Sequence, residues 1–184
     1  MGSTDEFDVV VICSGNRFRS PIAEAVLRRE ANGFPVTVRS FGTMDLPPSP
    51  PLPEALELAP GLGLDLRSHR SHPVAGQDLS DADLVIGFAP IHAATAVVGA
   101  RARRERTFLL TELVASLEGI APQSADGLVE RARRSVREAD EARKASNRVA
   151  REIADPIGGP SSGYRKIADE VYRLTSRVAE LLFR

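Results

Sequence analysis

Residues 7–21 read FDVVVICSGNRFRSP, and the fold follows from how this stretch is parsed. The run FDVVVIC at 7–13 is nearly all apolar and rich in valine. It is strand-length, and apolar enough to be covered on both faces, as central strands of parallel sheets are. The character then changes at once. Cys13 is the only cysteine in the chain of 184 residues, and it is followed by Gly15, by arginines at 17 and 19, and by Ser20-Pro21. Serine is favoured as an N-cap and proline at the first helical position, so a helix is expected to open at Ser20 and Pro21. A loop joining a strand to a helix start turns amide N–H groups inward, with Gly15 permitting the tight path and the helix dipole adding positive potential. Such a cradle suits a tetrahedral oxyanion.

Working outward, strand-length apolar runs recur as VTVRSF at 36–41, DLVIGF at 83–88 and TFLL at 107–110, separated by helical patterns. The alternation predicts an α/β fold: a three-layer, doubly wound domain with a parallel sheet of roughly four strands and helices on both faces. In IAEAVLRRE at 22–30, helical spacing places Ile22, Ala25, Val26 and Arg29 on one face. Five prolines at 47, 48, 50, 51 and 53 mark an exposed, extended loop leading into a short helix. Residues 125–151 carry Val129, Ala132, Val136, Ala139, Ala142 and Val149, with seven arginines and one lysine between 131 and 151. They are read as one long helix with a thin buried stripe, supported by the pairs Glu130–Arg134 and Asp140–Lys144. Its arginines, like those of RARRER at 101–106, are read as solvated. Residues 162–183 form an amphipathic closing helix with Ile167, Val171, Leu174, Val178, Leu181 and Leu182 along one side. Residues 1–6 are read as a disordered start and 7–184 as a single domain.

Composition narrows the function. With 42% hydrophobic and 27% charged residues and a net charge of -1, nothing draws the chain as a whole to nucleic acid or membrane. No secretory leader is visible, and no apolar run approaches the roughly 20 residues a bilayer demands. A cytoplasmic address is expected. A lone cysteine excludes an internal disulfide or a cysteine-rich zinc site, leaving a buried small group or a reactive thiol. No metal and no cofactor are implied, and the oligomeric state is not legible.

The spacing Cys13-x5-Arg19 supplies a chemistry. Amide dipoles and a guanidinium facing a thiol favour its nucleophilic thiolate form, and the planar fork of Arg19 can hold two phosphoryl oxygens during attack on phosphorus. The departing oxygen needs a proton, which nothing in this loop provides. ADPIGG at 154–159 offers Asp155 in a loop stiffened by Pro156 and loosened by Gly158 and Gly159.

These residues resemble the low-molecular-weight protein tyrosine phosphatase family, whose loop reads Cys-x-Gly-Asn-x-Cys-Arg-Ser-Pro after a hydrophobic strand. The resemblance continues in order through SFGT at 40–43, LRSHRSHPV at 66–74, DLVIGF at 83–88 and DPIGG at 155–159, then a tyrosine and an amphipathic helix. It implies that Cys13 is the nucleophile, Arg19 the phosphoryl clamp and Asp155 the general acid and later base. It implies further that Ser14, Gly15, Asn16, Arg17, Phe18 and Arg19 bind phosphate, while Ser20, Ser40 and His69 brace the loop. His72 and His92 are left as surface residues. The family's reaction is hydrolysis of a phosphomonoester through a cysteinyl-phosphate, and a protein tyrosine phosphatase is expected.

There are departures. Phe18 stands where the family has a second cysteine, so an internal rescue disulfide is absent. Ser14 and Arg17 occupy positions commonly apolar in tyrosine-specific members. Ile157 replaces an aromatic, and Met44 and Leu46 bring no ring, so the walls offer little for a phosphotyrosine to stack on. The Arg-rich segment is longer than the family usually carries. Arg17 points either to solvent or into the pocket, where it would pair with an anionic group. The partner is therefore a phosphorylated protein or a small phosphomonoester. The alternatives are dephosphorylation of a small anionic metabolite or of phosphoarginine, and arsenate reduction dependent on an external thiol. A noncatalytic oxyanion-binding module would lack one of Cys13, Arg19 and Asp155, and all three are present.

Overall fold

A computed structural model describes residues 6–121, 127–147 and 149–184. Four strands, β1 (Phe7–Cys13), β2 (Val36–Gly42), β3 (Leu84–Gly87) and β4 (Thr107–Leu109), form one sheet in the order β2-β1-β3-β4. Every neighbouring pair is parallel, as the apolar runs predict. Six helices alternate with or follow the strands: α1 (Arg19–Glu30), α2 (Pro53–Leu58), α3 (Pro90–Gly99), α4 (Leu110–Glu118), α5 (Leu128–Ala145) and α6 (Ser161–Phe183).

Strand side chains point alternately to opposite faces, so β1 feeds two cores. Phe7, Val9, Val11 and Cys13 pack with α1, α4, α5 and α6. Val10 and Ile12 pack on the other face with Val74, Leu79, Ala96 and Ala100. That is the three-layer arrangement. The chain leaves β1 to one side for β2 and returns to the other side for β3, so the C-terminal end of β1 is the point where strand order reverses. Ligands of open α/β sheets bind at such a crevice. Among the described residues, no helix is long and apolar enough to cross a membrane.

Several expectations need correction. Helix α1 begins at Arg19 with Phe18 before it and no side-chain cap. Ser20 does not cap, because its hydroxyl is committed to Cys13 and Asn16. Pro21 still sits within the first turn, where a missing N–H costs nothing. The buried side of α1 is Ile22, Ala23, Val26 and Leu27, with Arg29 outside the core. Arg29 reaches across to the Tyr172 hydroxyl of α6 at 2.9 Å instead.

The Arg-rich segment is helical only over 128–145, and Val149 is 95% exposed. Its buried stripe of Ala132, Val136 and Ala139 matches expectation, as does the Asp140–Lys144 pair at 2.7 Å. Its arginines are not simply solvated. Arg133 Nε donates to buried Asp83 at 2.8 Å, and Arg106 stands 3.7 Å from the same carboxylate. Arg143 lies 4.1 Å over the Phe108 ring, donates to the Thr107 carbonyl at 2.6 Å and pairs with Asp140. These cations tie α5 to the β3–β4 edge. Residues 1–5 of the expected disordered start, and positions 125, 126 and 148 of the expected helix, lie outside the described residues.

Arg143→Met keeps the apolar stem and deletes the charge, removing one of the two side-chain donors to the Thr107 carbonyl, the other being Arg104, and one of the two cations on buried Asp140. The expected cost is about 1–3 kcal/mol, read as a lower urea midpoint with an unchanged m-value.

Candidate active site

Residues 14–18 bend over the C-terminal end of β1 into the first turn of α1. The amides of Ser14, Gly15, Asn16, Arg17 and Phe18 donate to no other group of the described chain. Unpaired amides gathered in one loop at a helix start form an anion cradle. The loop's left-handed residue is Asn16, with φ 53°, and not Gly15 as the sequence reading implied. Asparagine tolerates that conformation. A Cβ at Gly15 would meet nothing within 4 Å, whereas one at Gly42, the end of β2, would lie 2.8 Å from the Ser14 carbonyl oxygen. The glycine that lets the loop close is therefore on the neighbouring strand.

Cys13 is 2% exposed, its Sγ 3.0 Å from Ser20 Oγ. Ser20 Oγ accepts from Asn16 Nδ2 at 2.8 Å, which leaves the hydroxyl proton to be donated to sulfur. Asn16 is fully buried, and both ends of its carboxamide are engaged. Nδ2 also donates to Ser40 Oγ at 2.8 Å, and Oδ1 accepts from the His72 amide at 2.9 Å. His69 Nε2 donates to the Asn16 carbonyl at 2.9 Å. Thus Ser20, Ser40 and His69 all meet the loop where the sequence places them.

Arg19 is 3% exposed and lies at the centre of the site. Its Nη1 donates to the Ile153 carbonyl at 2.9 Å, and its Nη2 donates to Ser14 Oγ at 3.1 Å and to Asp155 Oδ2. The Phe88 ring lies 5.7 Å below the guanidinium. Asp155 is brought to the cradle across 136 residues of sequence, with its other oxygen accepting from the Ile157 amide at 3.3 Å. Phe18 turns its side chain into the core and packs edge-on against Tyr164 at 5.2 Å, so only its amide is available to an anion. Arg17 is half-buried. Its Nε donates to the Pro50 carbonyl at 2.8 Å and its own carbonyl accepts from the Leu52 amide at 2.9 Å, which fastens the proline-rich loop to the cradle wall.

A thiol and a guanidinium bracket a loop of five amides, unpaired among the described residues, at the point where strand order reverses, with a carboxylate on the guanidinium. Comparison with known proteins agrees. The family described as low molecular weight phosphotyrosine protein phosphatase matches residues 8–118. The chain belongs to this family. It is a phosphatase, a phosphomonoester hydrolase with Cys13 in the family's loop. A protein-arginine-phosphatase of Bacillus subtilis is 26% identical over 177 residues, covering 95% of this chain and 96% of that protein. A probable low molecular weight protein-tyrosine-phosphatase, EpsP, of Ralstonia nicotianae is 38% identical over 78 residues, covering 42% of this chain and 52% of that protein. Among solved structures, a low molecular weight protein tyrosine phosphatase from T. tengcongensis superposes with a TM-score of 0.68 at 25% identity, covering 95% of this chain and 99% of that one.

Two residues of this phosphatase's site escaped the sequence reading. Glu24 on α1 is buried, takes a hydrogen bond from Ser40 Oγ and faces His69 Nδ1 at 3.6 Å. Burial pushes its pKa up, but the nearby His69 ring, the hydrogen bond from Ser40 and the charge of Arg28, 2.7 Å away, outweigh it and hold the carboxyl below its ordinary value. A glutamate between alanines in an amphipathic helix gives no signal of this. His92 corrects an expectation outright. Left as a surface residue, it is 1% exposed, because Gly87 leaves room for the first turn of α3: a Cβ at 87 would lie 3.0 Å from the His92 Cβ. Its placement depends on tertiary contact alone.

Burial and then the Arg19 charge hold the His92 pKa down at about 4, against a smaller opposing pull from Asp155. An unfolded histidine titrates near 6.5. Between those values the unfolded chain binds a proton that the native chain refuses, so this contribution to stability is complete above pH 6.5 and is lost as pH falls toward 4. The loss should be on the order of 2–4 kcal/mol. Urea unfolding at pH 7 and pH 4.5 should show a shallower fall for His92→Leu than for the unaltered protein.

Proposed function

We propose that this phosphatase acts on phosphorylated proteins, phosphotyrosine first, with Cys13, Arg19 and Asp155 as its catalytic residues. The observation that carries the reading is the run of amides from Ser14 to Phe18, unpaired among the described residues, in the loop that joins Cys13 to Arg19. The thiolate attacks phosphorus and an S–P bond forms as the ester P–O bond breaks. The leaving oxygen takes the proton of the Asp155 carboxyl. Water then attacks the phosphocysteine, Asp155 takes its proton, and the S–P bond breaks to release phosphate. In the resting site Asp155 is paired with Arg19. An arriving phosphoryl group takes over that guanidinium and frees the carboxyl for the leaving oxygen.

A protein substrate is supported by the rim. Met44, whose amide donates to the Ser14 carbonyl, Ile91 beside His92, and Ile157 beside the Asp155 loop are all exposed aliphatic side chains around the cradle mouth. Exposed apolar groups clustered at a site's edge suit contact with a polypeptide flanking the phosphate. The arginine-phosphatase relative raises phosphoarginine as a substrate. Against it stands Arg17, whose terminal amino groups donate to nothing in the described chain. A guanidinium at the wall opposes the positively charged guanidinium half of phosphoarginine and favours a second anionic group. That observation supports the second reading, a small anionic phosphomonoester.

Turnover of phosphotyrosine peptides, phosphoarginine and anionic phosphomonoesters separates these substrates. Cys13→Ser should abolish turnover and still bind inorganic phosphate; a fully active Cys13→Ser protein refutes the nucleophile. Asp155→Asn should lose about 100-fold or more in kcat on esters with poor leaving groups and far less on activated aryl phosphates. For Arg17→Ala, an anionic-to-neutral rate ratio unchanged from that of the unaltered protein would exclude the role of Arg17 in choosing an anionic substrate.

A further inference from the structure

The ring of His92 is fixed from three sides. Pro90 opens α3, Gly87 admits its first turn, and the Phe88 ring meets the imidazole edge-on at 6.4 Å. Nδ1 accepts from the Phe88 and Ala89 amides, both at 3.1 Å. A ring nitrogen that accepts carries no proton, so in the neutral imidazole Nε2 is the donor. Its partner is Ser14 Oγ at 3.2 Å.

The same Ser14 oxygen accepts from Arg19 Nη2 at 3.1 Å. A hydroxyl has two acceptor sites and one proton. Both acceptor sites are engaged by cradle-side donors, and no acceptor in the described chain takes the proton. It is left for whatever enters the cradle.

We propose that Ser14 is a catalytic residue whose O–H donates to a phosphoryl oxygen, and that His92 is the positioning residue that aims it. The proposal rests on the phosphocysteine reading and deepens it. Charge on the equatorial oxygens must be met by donors already in place, and a hydroxyl held by two neighbours adds one to the amides and Arg19 without reorganising. Holding Ser14 Oγ against Nη2 also keeps the Arg19 fork in plane while Nη1 grips the Ile153 carbonyl. A neutral imidazole is what this arrangement needs. A protonated ring would have two donors, would turn one of them on the Phe88 and Ala89 amides and would repel Arg19. Burial beside Arg19 disfavours that form.

The test is a double-mutant cycle with Ser14→Ala, His92→Phe and the combined variant, assayed on p-nitrophenyl phosphate with inorganic phosphate as a competitive inhibitor. Turnover by the unaltered chain tests the phosphatase reading first, and the ratios among variants then test Ser14 and His92. Each single variant should lose about tenfold or more in kcat, with KM moved less than about threefold, and the double variant should be no slower than Ser14→Ala. Ser14→Thr, which keeps a hydroxyl, should recover most of the lost rate. A double variant slowed by the product of the single effects would show that His92 acts independently of Ser14 and overturn the proposal. Should His92→Phe fail to fold, Ser14→Ala still decides: a kcat and a phosphate inhibition constant both within twofold of the unaltered protein would remove the hydroxyl from the reaction.

Discussion

A guanidinium almost wholly withdrawn from water holds the two halves of this site together. Burying a charge costs several kcal/mol unless partners replace its hydration, and Arg19 finds them in the Ile153 carbonyl, Ser14 Oγ, the Asp155 carboxylate and the face of Phe88. Those partners come from three separate regions of the chain. The cradle, the end of β3 and the loop before α6 are therefore drawn to one point by the group proposed to grip the phosphoryl oxygens. Ile153 reinforces the arrangement, since its amide donates to the Phe88 carbonyl at 2.8 Å. Stability of the site and readiness for catalysis are one property here.

Beneath that clamp lies a polar network with few loose ends. Asn16 engages both ends of its carboxamide with Ser20, Ser40 and the His72 amide, Ser40 passes its proton to Glu24, and His69 spans Asn16 and Glu24. A buried network is an asset only when each member is satisfied, and this one is closed by the Arg28–Glu24 ion pair at its outer end. The result fixes a left-handed residue in the loop that no glycine occupies. It also explains why β2 ends in Gly42: the loop is pulled so close that a side chain there would collide with the Ser14 carbonyl.

What the sequence disclosed and what it withheld divide along the reach of the interactions. The strand at 7–13 was legible residue for residue because its apolar run is local, and the parallel sheet followed from repeated runs of that kind. Cys13 and Arg19 were legible as a pair because both lie in one short loop; Asp155 was picked out because Asp-Pro-x-Gly-Gly offers a carboxyl on a turn, and the structure sets that carboxylate on Arg19. Ser20 was misread as a cap, because a serine before proline has the same signature whether its hydroxyl meets an amide or a thiol. Glu24 and His92 were missed for the converse reason. A glutamate in a helix and a histidine after proline are ordinary surface patterns, and only contacts made over 16 and 78 residues reveal them as parts of the site. The arginines of α5 misled similarly: a charge run reads as solvated until Asp83, Asp140 and Phe108 are placed against it.

The substitution at Phe18 shows how one departure from the family's loop connects to others. A second thiol at this position would offer redox rescue. The ring that replaces it is buried and stacks edge-on against Tyr164 of α6. The Tyr164 hydroxyl accepts from the amide of Gly158 at 3.3 Å, and Gly158, at φ 81°, is the turn residue of the loop that carries Asp155. Phe18 therefore links the floor of the cradle to the Asp155 loop through a single tyrosine. Loss of the rescue thiol and restraint of the loop are consequences of the same side chain. The loop's other departures, Ser14 and Arg17, are likewise engaged by groups outside it, His92 and the Pro50 carbonyl. Residues 14–18 thus leave their amides unpaired among the described residues while the side chains of Ser14 and Arg17 engage groups outside the loop, so in this phosphatase what the loop's side chains touch is separate from the backbone proposed to bind the anion.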